Sequence, residues 1–407
     1  WRSSCVTQRC GVGCLAASNS NCRSSVCRYR KQCGGCFYQG TDYKEQLKKK
    51  RAYLKSLLEG LAVPEAVVGM DEPYYYRNKV HRALTKDNSG NIISGPYEAG
   101  SHWIIDIDRC LIEDLKAQEA ADIVKDTAAD LRIRIYNEKT GRGDLRRILI
   151  RRAASTGEIM AVLVCAGGSF PQKREFAARL MKKIPDIKTV VLNINSRHTS
   201  MILGEREEVL SGCGYITDVL CGLRFRISAS SFYQINPVQT ELLYKTALEF
   251  ADLKGGERVI DAYCGIGTIG LAAAAKMGGR GRVTGIELNP AAVKDARLNA
   301  EENGIRNAEF YCADAGGYMK KMAADGEKAD VVFMDPPRSG ASISFMKYAV
   351  RLAPEKIIYI SCGPESLARN LKFFKENGYE AVRCKAVDMF PHTSHVECCC
   401  LMSQVKD

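Results

Sequence analysis

The 407-residue sequence predicts an α/β protein whose last third and more is a doubly wound parallel sheet. Three observations carry that expectation. From about residue 233, short apolar runs ("RVIDAYC", "RVTGIEL", "DVVFMD", "KIIYIS") alternate with helical patterns, and such alternation builds parallel sheets. Upstream, residues 74–232 carry two hairpin patterns, "KVHRALTKDNSGNIISGPYE" about Asn-Ser-Gly-Asn and "RRILIRRAASTGEIMAVLVCA" about Ser-Thr-Gly-Glu, with a helical stretch 111–131 between them. Residues 1–40 are rich in Cys, Gly, Ser and Arg and lack any apolar period.

Taken in chain order, four regions emerge. Residues 1–40 form a Cys-rich, metal-binding segment. Residues 41–73 link onward through one helix in "DYKEQLKKKRAYLKSLLEG", with Asp42 as its cap, a Leu47, Leu54, Leu57 and Leu58 stripe and Gly60 as its stop. Residues 74–232 are a central mixed α/β domain, and residues 233–407 the doubly wound domain. A Hydrophobic content of 46% with 26% charged residues is that of an ordinary globular protein. No run of 18 apolar residues and no signal-like segment is present, so neither a membrane span nor secretion is expected, and the chain reads as a cytoplasmic monomer. Trp1 in place of a methionine implies an incomplete start.

The net charge of +12 is unevenly placed: residues 1–60 hold 12 Lys or Arg against 3 Asp or Glu. A second basic stretch, "GRGDLRRILIRR", adds Arg142, Arg146, Arg147, Arg151 and Arg152. Concentrated positive charge points to a polyanion, most often nucleic acid, with a solvated basic face as the equal reading on charge alone. "YYYRNKVHR" (Tyr74 to Arg82) interleaves tyrosines with cations in the manner of a nucleic-acid surface, against the plainer reading of a hairpin with one buried tyrosine face.

Seven of the 18 cysteines fall within residues 5–36. In a long chain without a secretion signal such clustering reads as metal binding rather than a disulfide framework. Cys27, Cys33 and Cys36 have C-x5-C-x2-C spacing and Cys110 supplies a distant fourth thiol, a set able to ligate a [4Fe-4S] cluster or a zinc ion. Spacing does not choose between them. Cys5, Cys10, Cys14 and Cys22 match no spacing of known meaning: a second metal or an oxidisable tail are equal readings.

"VIDAYCGIGTIGLAAA" places Gly265, Gly267 and Gly270 in G-x-G-x-x-G spacing between a strand and a helix, the signature of a nucleotide-like ligand at a helix start. Alone it fits NAD, FAD or S-adenosylmethionine (SAM) equally. Glu287 closes the next strand, where a carboxylate accepts ribose hydroxyls. Two further strand ends discriminate. "VVFMDPPRSG" puts Asp335 at a terminus ahead of two prolines, and "IYISCGP" runs a strand out into Cys362, at the edge where open α/β sheets bind ligands. Asp314 in "YCADA" is a third acidic strand-end residue, where methyltransferases hold the adenine amino group.

"DAYCGIGTIGL", "GIELNPAAVKDARLNAEENGI", "FMDPPRSG", "ISCGPESLARNL" and "HTSHVE", in that order, resemble the RNA uracil-5-methyltransferase family over nearly the whole chain. The resemblance implies a Rossmann-like methyltransferase domain, SAM as cofactor and RNA as partner. It implies Cys362 as nucleophile, Glu397 in "HTSHVE" as general base, and Gln234, Tyr263, Glu287 and Asp335 at SAM beside the glycines. Phe232 and Tyr233 read equally as core; His392 and His395 as structural or substrate-contacting. The ribosomal branch is similar in its cysteines, which tips the metal to [4Fe-4S] and the substrate to 23S rRNA. The same reaction on tRNA and a catalytically silent iron–sulfur RNA-binding protein are the alternatives. Chemistry agrees with the roles: carbon 5 of uracil becomes nucleophilic only after a thiolate adds at carbon 6, and a base must then remove the carbon 5 proton. One departure is Gly363, where the family often has Asn. If that amide holds the uracil carbonyl, another donor is needed here.

Overall fold

Two large sheets and a small hairpin make up the molecule, a computed structural model that describes residues 26–167, 170–197 and 201–405. Cys5, Cys10, Cys14 and Cys22 lie outside the described residues. A single turn, α1 (Arg30–Cys33), precedes α2 (Tyr43–Leu57). Asp42 caps α2 as its position predicts, accepting from the Glu45 N–H at 3.2 Å. Leu54 and Leu58 bury completely against the C-terminal domain.

The central sheet contains β1 (Lys79–Lys86), β2 (Ile92–Gly95), β3 (Leu145–Arg152), β4 (Ile159–Cys165), β5 (Ile187–Ile194) and β6 (Arg206–Gly212), in the spatial order β2-β1-β3-β4-β5-β6. Both expected hairpins are present: β1 pairs antiparallel with β2, and β3 with β4. β4 and β5 run parallel. Helices α3 (Leu115–Asp130) and α4 (Lys173–Lys183) cover one face, closing a core of Val80, Ile148, Ile150, Val124, Phe176 and Leu180. A hairpin of β7 (Tyr215–Leu220) and β8 (Leu223–Ser228) leads into the second unit and shares its core.

There, α5 (Pro237–Ala251), β9 (Arg258–Ala262), α6 (Thr268–Lys276), β10 (Arg282–Glu287), α7 (Pro290–Glu302), β11 (Ala308–Cys312), α8 (Ala315–Ala324), β12 (Val331–Met334), α9 (Ile343–Arg351), β13 (Lys356–Ser361) and α10 (Pro364–Glu376) alternate as expected. Their strands lie in the order β11-β10-β9-β12-β13, all parallel. The near-continuous apolar runs of β12 and β13 suit strands covered on both faces. The chain then adds β14 (Tyr379–Val387) and β15 (Glu397–Gln404), with β15 inserted antiparallel between β13 and β14. "ECCCLM" is the buried strand the sequence predicts, but its insertion beside β13 is a non-local pairing that local pattern does not contain. No helix among the described residues is long and apolar enough to cross a membrane.

A buried ion pair fastens α2 to the loop before β15. Lys50 Nζ lies 2.6 Å from Asp388 Oδ1 and 3.1 Å from the Phe390 carbonyl, and both side chains are sealed from solvent. Tyr43 donates its hydroxyl to Asp388 Oδ2 at 2.9 Å. Removing one member of such a pair strands the other charge, at about 3–5 kcal/mol. Lys50→Met should therefore lower the unfolding free energy from denaturant titration by that amount at neutral pH. A change below about 1 kcal/mol, the value of an exposed pair, would show that Asp388 finds another partner.

Candidate active site

The functional residues gather along the carboxyl edge of the parallel sheet. After β9 the backbone turns sharply through Tyr263 (φ 64°), Gly265 (φ 55°) and Gly267 (φ 82°). A left-handed tyrosine is strained, and such strain concentrates at functional sites. A side chain at Gly267 would place its Cβ 2.9 Å from the Phe310 ring, and one at Gly270 would meet Asp261 Oδ2 at 2.7 Å. Each glycine thus permits a close approach, and Gly270 N–H donates to that carboxylate at 2.8 Å.

Gln234, Tyr263, Gly265 and Asp335 line one crevice together with Asp261 and Tyr244. Glu287, at the end of β10, accepts from Gly265 N–H at 3.1 Å and from Asn289 N–H at 2.8 Å. Asp314 caps α8, accepting from Gly317 N–H at 2.8 Å, and its charge acts on the Tyr263 hydroxyl. Burial pushes Asp335 up to about 7. Burial also lifts Asp261 to about 7, with Asp335 and Glu287 adding to it against the Gly270 amide. Excess unpaired negative charge of this kind welcomes a cation and repels phosphates. The crevice therefore favours the sulfonium and ammonium of SAM over a dinucleotide, a choice that glycine spacing alone leaves open. The donor set fits SAM.

Cys362 lies one residue beyond β13, and β15 fixes what faces it. The last rung of the β13–β15 pairing is Ser361 with Cys398, so the next rung sets Cys362 against Glu397. Residues opposed in this way hold their Cβ atoms roughly 4.5–5.5 Å apart. Burial, then the charges of Glu397 and Asp335, pushes the Cys362 thiol up to about 11, with Arg338 opposing. Burial and Asp335 lift Glu397 to about 8, again against Arg338. Glu397 Oε2 is buried and has no hydrogen-bond partner. Asp335 lines the acidic crevice and its charge reaches both groups, which ties the thiol and the carboxyl electrostatically to that crevice.

A cavity of about 460 Å³ opens over Cys362, bounded by Tyr38, Tyr53, Arg338, Pro364 and His395. At roughly 30 Å³ per water this is room for some fifteen waters, ample for a pyrimidine and part of a neighbouring nucleotide. His392 sits behind it. Gln46 accepts from the His392 N–H at 3.1 Å and meets its Nδ1 at 3.2 Å, while Tyr74 stacks on the ring at 4.6 Å. That is a structural role; His395 lines the cavity. Tyr233 belongs to the core, whereas Phe232 is exposed at the crevice.

Sequence reasoning overlooked Arg338, although it stands in the quoted "DPPRSG". Gly363 explains its importance: a side chain there would bring a Cβ within 2.8 Å of the Arg338 carbonyl and of Ser366 Oγ. The two turns touch, no asparagine fits, and the Arg338 guanidinium is the cation that faces both Cys362 and Glu397.

Farther off, the segment carrying Cys27, Cys33 and Cys36 is drawn to Cys110. Tyr29 donates to Asp108 Oδ1 at 2.6 Å, Arg28 pairs with the same carboxylate, and Gly34 approaches Ala99 so closely that a Cβ would lie 2.7 Å away. Burial pushes Cys36 up to about 11 and Cys110 up to about 12. Cys27 and Cys33 raise Cys36 further, and Cys36 raises Cys110. Thiols that sense one another, with Arg77 as the cation acting on Cys33 and Cys36, suit a positively charged group. Among the described residues no set of three or more His, Cys, Asp or Glu is arranged to hold a metal ion.

A doubly wound sheet with a cation-seeking crevice at its carboxyl edge is the build of a SAM-dependent methyltransferase. Residues 42–405 match the family model described as tRNA (uracil-5-)-methyltransferase. An uncharacterized RNA methyltransferase of Halalkalibacterium halodurans is 42% identical over 91% of this chain and 81% of its own length. One from Caldanaerobacter subterraneus subsp. tengcongensis is 40% identical over 93% and 84%. Among solved structures, the Pyrococcus abyssi tRNA (uracil-54, C5)-methyltransferase in complex with S-adenosyl-L-homocysteine superimposes with a TM-score of 0.73 at 30% identity, covering 89% of this chain and 83% of that one. The chain belongs to the RNA (uracil-5-)-methyltransferase family and is a SAM-dependent enzyme.

Proposed function

We propose that the enzyme methylates carbon 5 of a uridine in 23S rRNA through a covalent adduct on Cys362. The observation that carries this reading is the charge of Glu397 and of Asp335 acting on Cys362, just past the Ser361–Cys398 rung that ends the β13–β15 pairing. The Cys362 thiolate adds to carbon 6 of a uridine splayed from its stack, and the electron pair moves to carbon 5 as an enolate. SAM, when bound, supplies the electrophilic methyl group. Once carbon 5 has taken it, the Glu397 carboxylate removes the carbon 5 proton, and the returning electrons expel the Cys362 sulfur. Gln234, Tyr263, Glu287, Asp335 and Asp314, with the backbone at Gly265 and Gly267, hold SAM. Arg338 supplies the donor that Gly363 lacks.

Cys27, Cys33, Cys36 and Cys110 hold a [4Fe-4S] cluster that orders the basic segment rather than transferring electrons. A cluster spreads its ligands more widely than a single ion does, which suits thiols that sense one another without closing on one point. The cluster pattern is the reason for favouring ribosomal RNA. A second reading, tRNA as substrate, is favoured by the description of the matching family and by the Pyrococcus abyssi enzyme. The working protein is a cytoplasmic monomer divided at residues 40, 73 and 232.

Mass mapping of 5-methyluridine in 23S rRNA and tRNA, from cells with and without the protein, tests both. Loss of a 23S rRNA methyl group supports the main reading, loss in tRNA alone replaces it, and no loss removes both. Anaerobic purification should yield a brown protein containing iron and sulfide. A colourless, zinc-loaded protein overturns the cluster.

A further inference from the structure

Strands β1 and β3 carry cations on both faces, and the two faces treat them differently. On the helix-covered side and at the β3 bulge every arginine finds an acid: Arg82 with Asp122, Arg152 with Asp114, Arg146 with Glu138. On the opposite side, register places Lys79 against Arg151, His81 against Leu149 and Ala83 against Arg147. Directly opposed residues share a face, so Lys79, His81, Arg147 and Arg151 project together, with Arg77 continuing the row. None of the five has an ion-pair partner among the described residues. Nε of Arg147, Nε of Arg151 and Nε2 of His81 are buried without any hydrogen bond. Arg147 makes only a ring contact, 5.9 Å from Tyr97.

Lys79 and His81 are held short of their natural charge. Burial, then Arg151 and Arg77, presses Lys79 down to about 8. Burial, then Arg147, Arg77 and Lys79, presses His81 down to about 3. Glu113 lies near Arg77 and Glu207 near Arg151, each itself raised by burial. Buried cations short of counter-charge destabilise a fold and persist where an anion is to be bound. Their location says which. Asn78, between Arg77 and Lys79, donates its N–H to the Ile235 carbonyl at 2.9 Å, one residue from Gln234 at the crevice. The row thus starts at the rim of the active site and runs outward along β1.

We propose that Arg77, Lys79, His81, Arg147 and Arg151 form a phosphate-backbone subsite that grips the RNA strand leading to the Cys362 cavity. The proposal rests on the RNA reading above and adds where, and through what charge, the strand is held. It contributes affinity and placement, not base identity.

The test uses the full chain with Arg147→Met and Lys79→Met, singly and together; methionine keeps the apolar stem and deletes the charge. Binding of a fluorescein-labelled, uridine-rich single-stranded RNA is measured across a salt series. Each lost phosphate contact should flatten the slope of log affinity against log salt by about 0.7. Affinity at low salt should fall on the order of tenfold per substitution. The melting temperature without RNA should hold or rise, because a buried, unpaired charge has been removed. An unchanged salt slope overturns the subsite. So does poly-glutamate binding that depends on the two residues while RNA binding does not, which assigns the row to an acidic protein segment. Cys362→Ala separates this proposal from the reaction: it should bind RNA with the full slope. If wild-type protein grips RNA through these residues yet transfers no methyl group, the reaction falls and the subsite stands.

Discussion

Cys362→Ala protein should lose methyl transfer by on the order of 10⁴–10⁶-fold, the range seen when a covalent nucleophile is deleted. Nothing else should change. The side chain is half-buried at a strand end and makes no hydrogen bond that the fold depends on, so alanine leaves β13 and the crevice intact. Tritium release from 5-tritiated uridine in RNA reads the loss directly. A second readout is trapping: with 5-fluorouridine in the RNA, fluorine at carbon 5 cannot leave as a proton does, so wild-type protein should remain bonded to the RNA and the variant should not. Continued tritium release by the variant would end the covalent mechanism, because without the carbon–sulfur bond carbon 5 is not nucleophilic enough.

Glu397→Gln should block the opposite end of the cycle. The amide has the shape of the carboxyl but cannot accept the carbon 5 proton, so turnover should fall about 10²–10⁴-fold while a methylated protein–RNA adduct accumulates. The pH dependence follows from the group's surroundings. Burial and Asp335 lift Glu397 to about 8, so below that pH the base is protonated. Wild-type adduct release should therefore slow roughly tenfold per unit as pH drops below about 8, and the glutamine variant should lose that dependence. Its Cys362 thiol, freed from a neighbouring carboxylate, should also ionise at lower pH than in wild type. Adduct resolved at the wild-type rate, measured by denaturing gel after rapid quenching, would transfer the role of base to another group.

Much of this site is legible in the sequence because its residues sit where local pattern changes. Asp335, Glu287 and Cys362 end apolar runs, and the G-x-G-x-x-G turn separates a strand from a helix, so one-dimensional reading finds them. The hairpins of the central domain are equally local. What local reading misses is long-range. The β4–β5 parallel pair and the antiparallel insertion of β15 beside β13 depend on partners beyond the reach of local pattern. The Lys50–Asp388 pair joins residues at opposite ends of the described chain. The charge row on the central sheet is visible as "RRILIRR", but which arginines lack an acid depends on the register of β1 against β3. Arg338 escaped notice for another reason: its contact with Gly363 is made by two loops that only the folded sheet edge brings together.

The pairing of β15 with β13 works as a ruler. Because Glu397 opens β15 and Cys362 follows directly on β13, its hydrogen-bonded neighbour, the gap between sulfur and carboxyl is set by the backbone of one sheet edge, not by how domains close. A slip of one residue would turn Glu397 to the far side of the sheet. The enzyme can therefore swing open or clamp down on an RNA without retuning the distance on which its two half-reactions depend.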